Sequence, residues 1–234
     1  MDKKAVLIGN SDGIGLKLTK RLLDTGWQVS GLSRSPSPVE NALYSHKTLD
    51  VRSGEYICVL RDIVDGPALP DLCVYCAGIG EIFDQSHMDR DIDVFEVNLN
   101  GMVKTASVLI PLMIGRGSGH FIGLSSLADD MLSAEAPSYH ASKAGFSCYL
   151  ESLALAVKGT GVSVTNIRFG FVDTKMAKGD IKPFMMSVDR AVEHILKCME
   201  RKPARYTAPA AAVPLVKFMK YMLELSLGTL NQRS

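Results

Sequence analysis

The chain has 234 residues, 47% of them apolar and 22% charged, with a formal net charge of +1. This is enough for one α/β domain with a sizeable core, and it excludes global disorder. A near-neutral balance gives no reason to expect nucleic acid as a partner. The apolar run from Ala5 to Gly9 is too short for a signal-peptide core, and no uncharged apolar run reaches the ~18 residues of a spanning helix, so no stable membrane insertion is expected. The five cysteines are odd in number and scattered, which reads as free thiols in a reducing, cytoplasmic setting. Cys73-x-x-Cys76 has no second ligand pair at metal spacing, so no metal site is expected.

Lys4 to Ile8 predicts a first strand. It runs directly into Gly9-Asn10-Ser11-Asp12-Gly13-Ile14-Gly15 and then a helical pattern with Leu16, Leu22 and Leu23, stopped by Gly26. The spacing is G-x-x-x-G-x-G rather than G-x-G-x-x-G. The physics is shared: glycines let the backbone approach a pyrophosphate, and the helix N-terminus offers N–H donors. Trp27 to Leu32 predicts a second strand, followed by Ser33 and Arg34. A dinucleotide fold reads the adenosine ribose at this point. An acid there would take the 2′-hydroxyl and repel a phosphate, whereas Arg34 can pair a 2′-phosphate. NADP(H) is therefore expected before NAD(H), with Asp12 in the glycine turn as a mild counter-signal.

Residues 35–38 read as a loop, and 46–51 as a third strand ending at Asp50-Val51. A short helix is expected over 55–64 and a fourth strand over 72–78. One long helix is expected over 87–115, and a fifth strand over 120–125 that delivers Ser125 and Ser126. A helix should follow Pro137, and a sixth strand should cover 161–169 and end at Gly170. Residues 173–190 read as a polar loop and 187–202 as an amphipathic helix capped by Ser187. Residues 208–234 form an apolar C-terminal tail, read first as a subunit interface or substrate lid, then as core packing, and last as a membrane-surface contact. Strands alternating with helices predict an α/β fold: a doubly wound parallel sheet of Rossmann type, in three α/β/α layers, as a single domain over 1–234. The glycine turn, Arg34, Asp50, Gly78, Ser126 and Gly170 all fall at strand ends, where such sheets bind ligands.

The stretch from Ser125 to Lys143 carries the chemistry. Tyr139 and Lys143 are four residues apart, so on a helix they share a face. A free phenol titrates near pH 10 and is a poor acid–base group at neutrality. An adjacent ammonium favours the phenolate. Ser126 can hydrogen-bond the substrate oxygen that gains or loses the proton.

In this order the motifs resemble those of the short-chain dehydrogenase/reductase family, over about residues 4–207. Gly9 to Gly15 resembles its cofactor turn, Asp50-Val51 its adenine-contacting acid, and Cys76-Ala77-Gly78 its Asn-Ala-Gly turn. Asn98 matches its catalytic asparagine. Ser126, thirteen residues before Tyr139, matches its serine, and Tyr139-His-Ala-Ser-Lys143 its Tyr-x-x-x-Lys. Phe169-Gly170-Phe-Val172-Asp-Thr174 sits where the family has Pro-Gly and a nicotinamide-contacting threonine. Ile8, Cys76 and Phe169 depart from the family's Thr, Asn and Pro. The resemblance implies hydride transfer at a nicotinamide, with Tyr139 as general acid or base and Ser126 polarising the carbonyl. It implies that Lys143 binds the ribose and Asn98 holds a water, and that Thr174 and the Val172 backbone fix the carboxamide. The expected activity is NADP(H)-dependent carbonyl reduction on a small, apolar aldehyde or ketone. An NAD-dependent alcohol dehydrogenase or a non-catalytic dinucleotide sensor are the alternatives. The pocket candidates are Met131, Leu132, residues 79–83 and the 173–190 loop. The family usually forms dimers or tetramers, so a homodimer or homotetramer is expected.

Overall fold

A strand covered on both faces reads as an unbroken apolar run rather than an alternating one. Ala5-Val6-Leu7-Ile8 and Leu72-Cys73-Val74-Tyr75 are such runs, and all eight residues are buried. They sit at the centre of the sheet in a computed structural model that describes residues 3–65, 69–176 and 184–230. The strands are β1 (Lys4–Ile8), β2 (Gln28–Ser33), β3 (Tyr44–Thr48), β4 (Leu72–Tyr75), β5 (Gly119–Ser126), β6 (Val162–Phe169) and β7 (Arg205–Ala208). All pair in parallel, in the order β3-β2-β1-β4-β5-β6-β7. The order reverses between β1 and β4, and a crevice outside the carboxyl ends opens at such a switch point.

The helices are α1 (Gly13–Asp24), α2 (Tyr56–Val64), α3 (Asp89–Phe95), α4 (Gly101–Arg116), α5 (Pro137–Ala156), α6 (Val188–Arg201) and α7 (Val213–Leu230). One core layer packs Leu18, Leu22, Val192 and Ile195 of α1 and α6 on the sheet. The other packs Tyr56, Leu60, Met102, Leu109, Phe146 and Leu150 of α2, α4 and α5 on the opposite face. The three-layer, doubly wound expectation is met.

Three elements differ from the sequence reading. The helix expected over 87–115 is interrupted by a π-helical turn, Glu96–Asn100, which carries Asn98 into the interior. The whole run Asp89–Arg116 is long and apolar enough to cross a bilayer, but much of its apolar face serves the core, with Met102, Ala106, Leu109 and Met113 buried and Ile92 and Ile114 exposed. The third strand covers 44–48 rather than 46–51, so Asp50 and Val51 lie beyond its end. Its sequence, Tyr-Ser-His-Lys-Thr, is polar because it is an edge strand. The C-terminal segment holds a seventh strand and α7. Val213 and Val216 of α7 pack on Leu127 and Ala212, while Leu215, Phe218, Met219, Met222 and Leu225 are exposed.

Candidate active site

The chain leaves β1 through Gly9 at φ +82°. A Cβ on Gly9 would lie 2.5 Å from the Ala77 backbone nitrogen, so only glycine lets the end of β1 touch the turn after β4. A Cβ on Gly15 would run into the Gly9 carbonyl oxygen. α1 starts at Gly13 with no acidic residue in its first turn, and Asp12 at its N-cap makes no side-chain cap bond. The first N–H groups of α1 are thus left for an anion, and the turn fits a pyrophosphate. Asp12 instead faces Lys175, at 3.5 Å. Ser11 and Ile14 are half-buried on either side of it. Asn10 is not among the residues that the glycine spacing predicts. It is fully buried, and its amide donates to Thr19 Oγ1 at 3.1 Å and the Tyr44 hydroxyl at 2.7 Å, which ties the turn to α1 and β3. A polar residue inside a glycine turn ordinarily faces ligand or solvent, so nothing in the pattern marked it.

Ser33 ends β2 and Arg34 follows it, exposed. Ser33 Oγ donates to the Ser35 carbonyl at 2.8 Å and lies 2.8 Å from His46 Nε2. With its one proton given to Ser35, the hydroxyl accepts from His46, which sets the imidazole tautomer. Burial lowers the His46 pKa. His46 lies inside the expected third strand, but a lone histidine in a polar strand carries no sign in the sequence that it reaches Ser33. Asp50 is held by Arg52, whose backbone N, Nε and second guanidinium nitrogen donate to it at 2.9, 3.1 and 2.8 Å. The Arg52 hydrogen bond holds its carboxyl below the usual range, against the upward pull of burial, with Arg34 adding a further downward pull. Val51 beside it is buried.

The reacting groups meet between β5 and α5. Ser126 ends β5, and its Oγ accepts from the Ala128 backbone N–H at 3.1 Å. α5 opens with Pro137 in its first turn, where a missing N–H costs nothing. Tyr139 and Lys143 then lie one turn apart, and the Ser126 side chain acts on the Tyr139 phenol. Burial pushes the phenol above its ordinary value, Ser126 pulls it down, and Asp129 pushes it up. Lys143 is 4% exposed; its Nζ donates to the Leu124 carbonyl at 3.0 Å and lies 5.9 Å from the Tyr139 ring centre. The ammonium is turned towards Leu124, and Ser126 is the group that favours the phenolate.

Burial lowers the Lys143 pKa to about 8, with Asp129 and Cys76 opposing the shift. Between that value and 10.5 the unfolded chain holds a proton that the folded one lacks, so stability rises with pH across this window. Below it the burial penalty is present in full. Lys143→Met is therefore expected to raise the unfolding free energy at neutral pH by about 1–2 kcal/mol, net of the lost bond to Leu124. The gain should vanish above the ordinary lysine pKa. Urea unfolding at the two pH values measures it, and equal destabilisation at both would refute it.

Asn98 sits in the π-helical turn opposite these groups. Its Oδ1 accepts from Ile79 N at 2.8 Å, and its Nδ2 donates to the Ile79 carbonyl at 2.9 Å and to Ser142 Oγ at 3.0 Å. Both amide hydrogens are used, so in this arrangement the side chain braces the 77–79 turn against α5. Gly78 lies between them: a Cβ there would be 3.4 Å from Asn98 Oδ1 and 3.7 Å from Lys143 Nζ. Gly170 donates its N–H to the Ala208 carbonyl at 2.9 Å. Val172 is buried and forms a parallel bridge with Met186. Thr174 comes close to Gly13 and thereby faces the cofactor turn across the crevice. Of the pocket candidates, Met131 packs with Leu127 and Val216, while Leu132, Ile82 and Phe83 are exposed. Phe83 N–H donates to the Glu135 carbonyl at 2.8 Å, which joins those two loops. Residues 177–183 of the predicted loop lie outside the described residues.

A doubly wound parallel sheet with a glycine turn and a Ser–Tyr–Lys group at its carboxyl edge defines a nucleotide-dependent class of proteins. The sequence profile of the short chain dehydrogenase family matches residues 3–183, and the chain belongs to that family. It is an oxidoreductase fold in sequence as well. An uncharacterized oxidoreductase of Myxococcus xanthus is 36% identical over 149 residues, 62% of this chain and 59% of that protein. A 3-oxoacyl-(acyl-carrier-protein) reductase of Vibrio cholerae is 28% identical over 185 residues, 75% of this chain and 76% of its own. Among solved structures, a short-chain dehydrogenase from Streptomyces avermitilis superposes with a TM-score of 0.81 at 22% identity, over 99% of this chain and 96% of its own. A short chain dehydrogenase from Leptospira borgpetersenii with bound NAD+ gives 0.79 at 19% identity, over 88% and 91%.

Proposed function

We propose that the protein reduces a small carbonyl compound to an alcohol with NADP(H), with Tyr139 as the proton donor. The observation that carries this reading is the meeting of Ser126 at the end of β5 with Tyr139 and Lys143 on α5, Lys143 being buried with its Nζ 5.9 Å from the Tyr139 ring centre. The nicotinamide, when bound, supplies the hydride. Ser126 Oγ accepts from the Ala128 N–H, and its one proton, which acts on Tyr139 in the protein alone, turns to the substrate oxygen when substrate is bound. Tyr139 donates a proton to that same oxygen. Lys143, with a pKa of about 8, is a proton source near neutral pH that can restore the phenol. The exposed apolar rim of Ile82, Phe83, Leu132 and Met176 suits an apolar aldehyde or ketone. The Vibrio relative is a reductase, which agrees in direction.

NADP(H) is preferred because β2 ends in Ser33-Arg34 with His46 beside them and no carboxylate in that position. Arg34→Ala is expected to weaken NADPH binding by about ten- to a hundredfold and to leave NADH binding unchanged. Fluorescence titration with both nucleotides tests this, and an equal loss for the two would favour the NAD-dependent alternative. Turnover of an aldehyde and ketone panel then separates an enzyme from a dinucleotide sensor. The same reading places the protein in the cytoplasm as a homodimer or homotetramer, with Phe218, Met219 and Met222 of α7 among the surfaces available for contact.

A further inference from the structure

Behind the Ser126–Tyr139–Lys143 group lies an ion pair that the proposed reaction does not use. Arg168, near the end of β6, donates from Nε to Asp129 Oδ2 at 2.6 Å and from its terminal nitrogen to Oδ1 at 2.5 Å. Both side chains are buried, Asp129 at 3% exposure and Arg168 at 10%. Asp129 sits on the 3-10 turn Leu127–Asp130, which follows Ser126 directly. Ser147 of α5 also donates to Asp129 Oδ2. With that proton spent, Ser125 donates to Ser147, at 2.8 Å. Ser125 also lies 3.5 Å from the Lys143 carbonyl. One carboxylate thus clamps the turn that carries Ser126 to the helix that carries Tyr139 and Lys143.

A buried ion pair is a poor device for stability, since desolvation consumes much of the attraction. Its position suggests another use. The Asp129 charge reaches both Tyr139, where it opposes ionisation, and Lys143, where it favours the ammonium. The other groups facing Tyr139 are Ser126 from β5, Lys143 and His140 on α5 itself, and Cys76 beside Lys143 at the end of β4. Asp129 is the only carboxylate acting on the phenol among the described residues. Arg168 is the cation in contact with it. Farther out, Asp130 takes Lys220 of α7 at 3.0 Å and lies 3.8 Å from Arg168.

We propose that Asp129 and Arg168 are positioning residues: the pair, with the Ser147 bond to Asp129, fixes the turn after Ser126 against α5, and Arg168 is the buried counter-ion of the carboxylate behind the site. The assignment rests on the reading of Tyr139 as the proton donor, but its test does not need turnover. The phenol is followed by ultraviolet difference titration of the full-length protein, with Tyr139→Phe subtracted to isolate one tyrosine among seven. Far-ultraviolet circular dichroism confirms folding across the titration. Asp129→Asn is expected to move the Tyr139 titration down and Arg168→Met to move it up, each by about one unit or more, with the double variant returning near the wild type. Arg168→Lys keeps the charge and loses the fork. It should titrate like the wild type, and on any carbonyl that is turned over it should lower kcat more than it raises KM. If Arg168→Met does not fold, Asp129→Asn and the double variant decide. A shift below about 0.3 unit in Asp129→Asn would overturn the proposal, whatever the activity assays show. A silent activity assay alongside the expected shifts would instead count against the reductase reading.

Discussion

Tyr139→Phe is expected to stay folded and to bind nicotinamide nucleotide like the wild type, while carbonyl reduction falls by about 10²–10⁴-fold. The ring is retained, so its packing against Gly80 and its edge contact with His140, at 6.0 Å between centroids, survive. What is lost is the hydroxyl on which Ser126 acts and which, in the proposed reaction, gives up its proton. Ser126 keeps its bond from the Ala128 N–H, so the turn holds its shape. The pH dependence has a definite sign. Reduction needs the protonated phenol, so the rate should be flat at low pH and fall as pH rises through the phenol's titration. Burial sets that limb above the ordinary tyrosine value in the protein alone. Paired measurements of nucleotide binding and turnover decide the matter. Turnover within about tenfold of the wild type would remove Tyr139 from the mechanism.

The sheet was legible because its central strands need apolar residues on both faces, and runs such as Ala5 to Ile8 and Leu72 to Tyr75 have few other uses. The edges were harder. β3 is short and polar, and its pattern points two residues too far along the chain, while β7, Arg-Tyr-Thr-Ala, shows no pattern at all. Tyr139, Lys143 and Ser126 were legible from helical spacing and position at a strand end, and the structure brings them together. How they act on one another was not. Whether Lys143 points at the phenol or at the Leu124 carbonyl depends on a rotamer and on what lines the crevice, and neither is written in Tyr-x-x-x-Lys. Asn98 shows the same limit. Its place in the motif was readable, but the π-helical turn that spends its amide on Ile79 and Ser142 was not. Asp129 and Arg168 are 39 residues apart, and only the pairing of β5 with β6 brings them into contact.

Gly9→Ala carries the largest expected structural effect, for two reasons that add. Gly9 sits at φ +82°, in the left-handed region, where a residue with a Cβ is strained by about 1–2 kcal/mol. The Cβ would also meet the Ala77 backbone, 2.5 Å from N and 2.6 Å from Cα. Backbone on both sides cannot rotate out of the way as a long side chain can, so β1 and the turn after β4 must separate. Such overpacking costs about 1–3 kcal/mol more. The sum, about 2–5 kcal/mol, is a large share of the stability of a typical domain. The strain falls at the switch point of the sheet, so it should reach the nucleotide before it reaches the rest of the fold. Moving Gly9 moves the carbonyl that Gly15 packs against, and with it the start of α1 and its free N–H groups. The expected result is a lower urea midpoint with the slope unchanged, and nucleotide affinity reduced by at least about tenfold even where the protein is fully folded. Gly54→Ala is the control, since a Cβ there meets nothing within 4 Å and its φ is ordinary. If Gly9→Ala matched that control in both stability and nucleotide binding, the close approach of β1 to Ala77 would not be what shapes the cofactor turn.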